Sequence, residues 1–286
     1  MTIPQSMQAP SSRQVQQGLS LHPRIANVIA VGSGKGGVGK STTTVNLALA
    51  LQQMGLRVGV LDADVYGPSV PLMLGLSGRP ESTQDKKIVP MRALGVDTMS
   101  IGYLIEDDSP MIWRGPMATQ ALTQFFNDTL WDDLDLLLID LPPGTGDIQL
   151  TLSQKIPLAG AVVVTTPQEV ATLDARKAIA MFEKVNIPVL GLVENMAVHV
   201  CSNCGHAEHI FGSGGGQAMA ARYNVPLLGS LPLDVAIREQ ADAGTPIVAA
   251  RPDAPVSLAY RQVAEQLIEQ LAGRPRAGIS LQTTLG

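Results

Sequence analysis

The chain has 286 residues, 45% hydrophobic and 16% charged, enough for one large α/β domain or two small ones around a substantial core. A formal net charge of −5 and 3% aromatic residues argue against nucleic acid or an anionic membrane as partner and against a stacking platform for single strands. The two cysteines exclude a disulfide scaffold and fit a reducing compartment, so a cytoplasmic location is expected. Residues 1–20 lack the apolar centre of a signal peptide, and no run approaches the roughly 20 apolar residues of a membrane helix.

Residues 1–24 are rich in Gln, Ser and Pro and are expected to be poorly ordered. The apolar run Val28–Val31 then leads into Gly34-Lys35-Gly36-Gly37-Val38-Gly39-Lys40-Ser41, followed by a helical pattern over Lys40–Met54. Strand, glycine loop and helix are the context in which G-x-x-x-x-G-K-[ST] binds phosphate. Glycines turn successive N–H groups inward, and the helix start adds partial positive charge. Lys40 is placed at the β- and γ-phosphates and Ser41 on Mg²⁺. A merely structural glycine turn is the weaker reading.

The second strand, Gly59–Asp62, ends in Asp62-Ala63-Asp64, two carboxylates on one side of an extended segment. They suit Mg²⁺ or the orientation of an attacking water, against the alternative of solvated acids in a turn. Residues 65–95 are rich in Pro and Gly and give no clear element. A strand is read at Val96–Ile101 and a helix at Met117–Asn127, with Trp113-Arg114-Gly115-Pro116 an uncommon cluster before it. Asp135–Asp140 is an apolar strand ending in an acid, the form of a Walker B strand, so Asp140 is assigned to the Mg²⁺ shell. Its continuation, residues 141–147, is a constrained Pro-Gly loop suited to a switch that reports nucleotide state.

Further strands are read at Ala161–Thr165, Val189–Glu194 and Leu227–Ser230, and helices at Val170–Val185, Gly216–Tyr223 and Pro255–Leu271. The alternation implies an α/β fold, a doubly wound, mostly parallel sheet with helices on both faces. The ATPase domain is assigned to residues 25–272 and a flexible tail to residues 273–286. Asn195 closes a strand on the ligand edge, where a carboxamide can pair with a purine edge, although a lone Asn at a strand end is more often a turn residue.

Cys201-Ser202-Asn203-Cys204 has the C-x-x-C spacing that chelates one soft metal. A redox pair, a private zinc site with His206 and His209, and an incidental pair compete with that reading. If metal is bound, two ligands leave it half-coordinated, and a two-fold-related copy would complete a Cys₄ set.

The loop from Lys35 through Thr42 resembles the deviant phosphate loop of MinD/ParA-type ATPases. That resemblance implies that Lys35 reaches the partner subunit's nucleotide. Adding Asp62–Ser69, Trp113–Pro116, Asp140–Asp147 and Glu194–Met196 followed by the cysteine pair, residues 25–270 resemble the Mrp/ApbC family of iron–sulfur cluster carriers. The resemblance implies a homodimer that binds ATP and Mg²⁺. It would hold a [4Fe–4S] cluster on Cys201 and Cys204 of both subunits, receive it from an assembly scaffold and pass it to apo-proteins. It also implies that Gly34 through Thr42 hold nucleotide, that Asp64 positions water, that Asp62 supports the Mg²⁺ shell and that Asn195 reads adenine. Many bacterial members carry an additional N-terminal domain, and residues 1–24 are too short for one. The competing expectations are a partitioning or positioning ATPase with a structural zinc at the cysteines and, more weakly, a kinase or synthetase.

Overall fold

The computed structural model describes residue 19 and residues 21–104, 115–201 and 203–273. Trp113 and Arg114 lie outside the described residues, as do most of the two terminal segments expected to be flexible. The first half of the chain runs β1 (Ile25–Ser33), α1 (Lys40–Gln53), β2 (Val58–Asp62), α2 (Val70–Met73), β3 (Met91–Ala93), β4 (Val96–Ser100), α3 (Gly115–Asp128) and β5 (Leu134–Asp140). The second half runs α4 (Asp147–Lys155), β6 (Gly160–Thr165), α5 (Glu169–Lys184), β7 (Val189–Glu194), β8 (His199–Val200), β9 (Ala207–Glu208), α6 (Gly215–Tyr223), β10 (Leu227–Ser230), α7 (Val235–Asp242), α8 (Ile247–Ala250) and α9 (Pro255–Ala272).

Eight strands form one sheet in the order β10-β7-β6-β1-β5-β2-β4-β3, parallel except for the edge strand β3. The strands are apolar almost throughout because both faces are covered. Side chains alternate across the pleat, so Ile29 and Val31 enter one core with Leu47 of α1 and Leu267 of α9. Val28 and Ala30 enter the other with Leu122 of α3 and Phe182 of α5. Trp131 closes that second core, fully buried, with Nε1 donating to Phe126 O at 3.1 Å.

From β1 the chain moves to β2 and β4 on one side, and from β5 it returns past β1 to β6, β7 and β10 on the other. The winding reverses at the β1–β5 pair, and a ligand crevice opens at the carboxyl ends of strands at such a point. Register then gathers the acids: Asp140 is the Cα partner of both Val31 and Asp62, and Asp62 pairs with Ser100.

The expected strands and helices are present with small shifts of boundary. β4 stops at Ser100, because Ser100 Oγ accepts from Gly102 N at 2.9 Å and starts a 3₁₀ turn at Ile101–Tyr103. Sequence reading had no element for α2, α4, α7, α8, β3, β8 or β9.

Candidate functional site: a phosphate loop, an acid cluster and a thiol hairpin

The glycine loop joins β1 to α1 in a conformation that requires glycine. Gly37 and Gly39 have φ of 82° and 78°, the left-handed region. Gly34 is required for space instead: a Cβ there would lie 2.0 Å from the Asp174 backbone of α5. Val38, buried, anchors the loop in the core. No side chain caps the start of α1, which leaves its first-turn N–H groups available to a phosphate. Ser33 Oγ donates to Lys35 O at 2.9 Å, and Gly144 N donates to Ser33 O at 3.1 Å, tying the loop after β5 to the phosphate loop.

One charge cluster lies under this loop. Lys40 Nζ is 2.8 Å from Asp140 Oδ1 and 3.9 Å from Asp64 Oδ2, and it donates to Ser41 Oγ at 3.2 Å. Ser41 Oγ donates to Asp140 Oδ2 at 2.5 Å, and Thr44 Oγ1 donates to Asp140 Oδ1 at 2.8 Å. Asp62 accepts from Ser100 Oγ at 3.0 Å, from Asp64 N at 3.1 Å and from Val70 N at 3.3 Å. Burial, and after it the facing Asp140 carboxylate, push Asp62 up to about 7. Burial also raises Asp64, with the Lys40 ammonium pulling the other way. Ser41 Oγ and the Asp140 carboxylate, 2.5 Å apart, are hard oxygen donors of the kind that suit Mg²⁺, and a cation beside them would offset the charge that Asp140 sets against Asp62.

Sequence reading named Lys40, Ser41, Asp62, Asp64 and Asp140 from three separate segments, and the fold brings all five together. Lys35, half-buried, makes no ion pair with any described residue. Asn195 lies against Gly39 from across the sheet, where a Cβ on Gly39 would come 2.3 Å from its Nδ2. That Nδ2 donates to Val38 O at 2.9 Å. Asn195 and Thr42 line a cavity of about 330 Å³ with Met196, Leu233, Ile237 and Tyr260. Its size and its apolar walls with a few polar groups suit a nucleoside beside the phosphate loop.

Cys201 and Cys204 lie in the turn of the β8–β9 hairpin, beyond β7 on the same edge of the sheet. Cys201 N donates to His206 O at 2.9 Å, and Gly205 N donates to Cys201 O at 2.8 Å with Gly205 at φ 73°. N–H groups of Asn203 and Cys204, and then the Cys204 thiol, hold the Cys201 thiol below its usual range. Both thiols are free and reach the surface. His209 Nδ1 is bound to Ala197 O at 2.8 Å, and among the described residues no three metal-ligating side chains come together. The private zinc site with His206 and His209 is therefore not assembled here.

Residues 24–268 match the ParA family, described as NUBPL iron-transfer P-loop NTPase. The chain belongs to this iron-transfer NTPase family. An iron-sulfur cluster carrier protein of Pseudomonas fragi is 58% identical over 259 residues, 90% of this chain and 89% of its own length. The Escherichia coli K12 protein of the same description is 58% identical over 248 residues, 86% of this chain and 67% of its own. Among solved structures, a nucleotide-binding protein of Archaeoglobus fulgidus in complex with ADP superposes with a TM-score of 0.71 at 38% identity, covering 82% of this chain and 91% of that one.

Two buried polar residues beside the site of this iron-transfer NTPase were given no role from the sequence, although Glu194 belongs to a quoted motif. Glu194, buried, accepts from Gly216 N at 2.7 Å and from Ser230 Oγ at 3.1 Å. Gln149 of α4, also buried, donates through Nε2 to Pro142 O and so pins the loop after β5. The only sequence signal for Glu194 is a carboxylate closing an apolar strand, and its partners lie 22 and 36 residues away. Gln149 stands next to Ile148 in a segment whose apolar spacing does not announce a helix.

Proposed function

We propose that this chain is an ATP-dependent carrier of iron–sulfur clusters. One observation carries the reading: a phosphate loop with its acid cluster and a two-thiol half-site stand on the same sheet edge, and Asn195, four residues from the β8–β9 hairpin, touches the loop. Two thiols per chain support a homodimer in which Cys201 and Cys204 of both copies hold one [4Fe–4S] cluster as cargo. Transfer exchanges these thiolates for ligands of an apo-protein without change of oxidation state. The cluster would come from an assembly scaffold, and the compartment would be the cytoplasm.

For hydrolysis, Lys40 neutralises β- and γ-phosphate charge, and Gly34 through Thr42 present backbone N–H groups to it. Ser41 and Asp140, with Asp62 behind them, would hold Mg²⁺, which would supply positive charge against the negative charge that develops on the phosphates. Asp64 orients water toward the γ-phosphorus; the new P–O bond forms as the bond to ADP breaks. Lys35 reaches across to the partner's nucleotide. Turnover is slow, because positioning and charge, with no strong base, do the catalysis.

The test is anaerobic reconstitution of the full chain with iron and sulfide, followed by metal and sulfide analysis. One cluster per dimer, lost in Cys201→Ser with Cys204→Ser, is the expected result. Zinc without iron in anaerobically isolated protein would overturn the reading in favour of a positioning ATPase, and a cluster that survives both substitutions would overturn the assignment of Cys201 and Cys204 as its ligands.

A further inference from the structure

Glu194 and Asn195 are consecutive at the end of β7 and bind in two directions. Asn195 Nδ2 holds Val38 O of the phosphate loop at 2.9 Å. Glu194 Oε1 accepts from Gly216 N at 2.7 Å, in the first turn of α6, and Oε2 accepts from Ser230 Oγ at 3.1 Å. A Cβ at position 216 would lie 2.9 Å from Glu194 Cβ, so the approach depends on glycine. The whole cysteine excursion leaves the sheet at Asn195 and comes back to the carboxylate of the residue before it.

Residues 203–210 are exposed, so the placement of the hairpin is decided at its roots. Met196, the first residue of the outgoing root, sits at φ 58°, a left-handed conformation that a side chain adopts only where its surroundings hold it. Ala197 N then donates to Leu231 O at 2.9 Å, and Leu233 N donates to Val198 O at 2.8 Å. His199 Nδ1 bonds Leu233 O at 3.0 Å, and His209 Nδ1 bonds Ala197 O at 2.8 Å. Asn195 and Met196 of the outgoing root, with Pro232, Leu233 and Asp234 of the segment after β10 that bonds it, are also a wall of the cavity of about 330 Å³ beside Gly39. Two hydrogen-bonded stretches of backbone, 195–199 and 231–234, are therefore both a wall of the cavity and the base of the hairpin.

We infer that Glu194 and Met196 are positioning residues through which a nucleoside in this cavity sets the geometry of the Cys201–Cys204 thiol pair. The inference rests on the proposed reading of the cavity as the nucleoside site. A ligand changes the hairpin only to the extent that it binds one placement of the roots better than another. Filling the cavity packs Met196 and Leu233 from inside, and the Glu194 clamp turns that into a fixed exit and return for the hairpin. The sites then share one element that both bias, which is what coupling requires.

The chain has only two cysteines, both in this hairpin, so thiol chemistry reports on it alone. The reduced, metal-free full chain is alkylated with iodoacetamide under anaerobic conditions, with and without saturating Mg·ADP. The expected result is a change in alkylation rate of roughly fivefold or more, the low end of coupling between two sites. It should be equal at low and high protein concentration. In Glu194→Gln and in the milder Ser230→Ala, which removes only the hydroxyl donor to Glu194, the nucleotide response shrinks while ADP affinity stays. ADP that binds without altering thiol reactivity overturns the inference and leaves the nucleoside site standing. A response that appears only at high protein concentration also overturns it, because association of two copies then explains the change. An unaltered response in both variants does the same. Failure of ADP to bind the wild-type chain removes the nucleoside reading and this inference with it.

Discussion

Lys40 Nζ and Asp140 Oδ1 are 2.8 Å apart, with side chains only 5% and 0% exposed, so the phosphate-loop lysine is also one half of a buried ion pair. Removing one partner of such a pair leaves the other charge uncompensated, at a cost of about 3–5 kcal/mol. Lys40→Met should therefore lose nucleotide binding and also destabilise the nucleotide-free chain by about that amount, read from urea unfolding. Adding Asp140→Asn should restore most of the stability without restoring binding. A Lys40→Met chain as stable as wild type would show that Ser41 and Thr44 suffice to hold Asp140.

Lys35 has the opposite profile. It is half-buried and makes no ion pair with a described residue, so the fold does not depend on its charge. Lys35→Ala should leave stability unchanged and spare most nucleotide affinity. If its ammonium stabilises the transition state in the partner subunit, hydrolysis should fall roughly 10³-fold, the low end for a cation supplied in trans. Mixing Lys35→Ala with a chain that cannot bind nucleotide gives the check. Each mixed dimer then has one occupied site, faced by a wild-type Lys35, and activity should reappear. No recovery would place the action of Lys35 within its own subunit.

The sheet and the acid cluster were legible because their signals are local. Apolar runs end in Asp62 and Asp140, and parallel register brings those ends together. The helix α4 was not legible: Ile148, Leu150 and Leu152 alternate as in a strand, yet Ile148, Gln149, Leu152 and Ser153 are the residues it buries. Burying a glutamine and a serine defeats hydrophobic periodicity. In α7 only Ala241 is buried, so no apolar face marks it. For Asn195 the residue alone fitted a turn as well as a purine edge, the adenine role came only from the family resemblance, and the structure commits its amide to Val38 O. The Glu194–Gly216 clamp could not be read, because it joins the two ends of an excursion whose closure exists only in three dimensions.

The loop glycines should separate into two kinds of defect. At Gly37 the obstacle is φ 82° with nothing within 4 Å of an added Cβ, so Gly37→Ala should cost about 1–2 kcal/mol and weaken nucleotide binding mildly. At Gly34 an added Cβ would fall 2.0 Å from the Asp174 backbone, which cannot be relieved by a rotamer change. Gly34→Ala must push the loop off α5, at about 1–3 kcal/mol or more, and should abolish nucleotide binding. Isothermal titration with ATP, paired with urea unfolding, distinguishes the two. Equal losses at both positions would mean that backbone conformation, not space, governs the loop.

His22 gives the chain a pH dependence away from the ligand edge. Its ring meets Phe126 edge-on at 5.4 Å, and its Nδ1 accepts from Arg24 N at 3.3 Å, which requires the unprotonated nitrogen. Burial, then the charges of Arg24 and Lys87, lower its pKa below the ordinary 6.5. As pH falls through 6.5 the unfolded chain takes up a proton before the folded one does, so stability contributed by His22 is full above that value and lost below it. His22→Phe keeps an aromatic ring against Phe126 and removes the titration. Its stability relative to wild type should therefore rise between about pH 8 and about pH 5, read as a shift in urea midpoint at each pH. A difference that stays constant over that range would show that the ring remains unprotonated in both states, or protonates equally in both, and that acid sensitivity arises elsewhere.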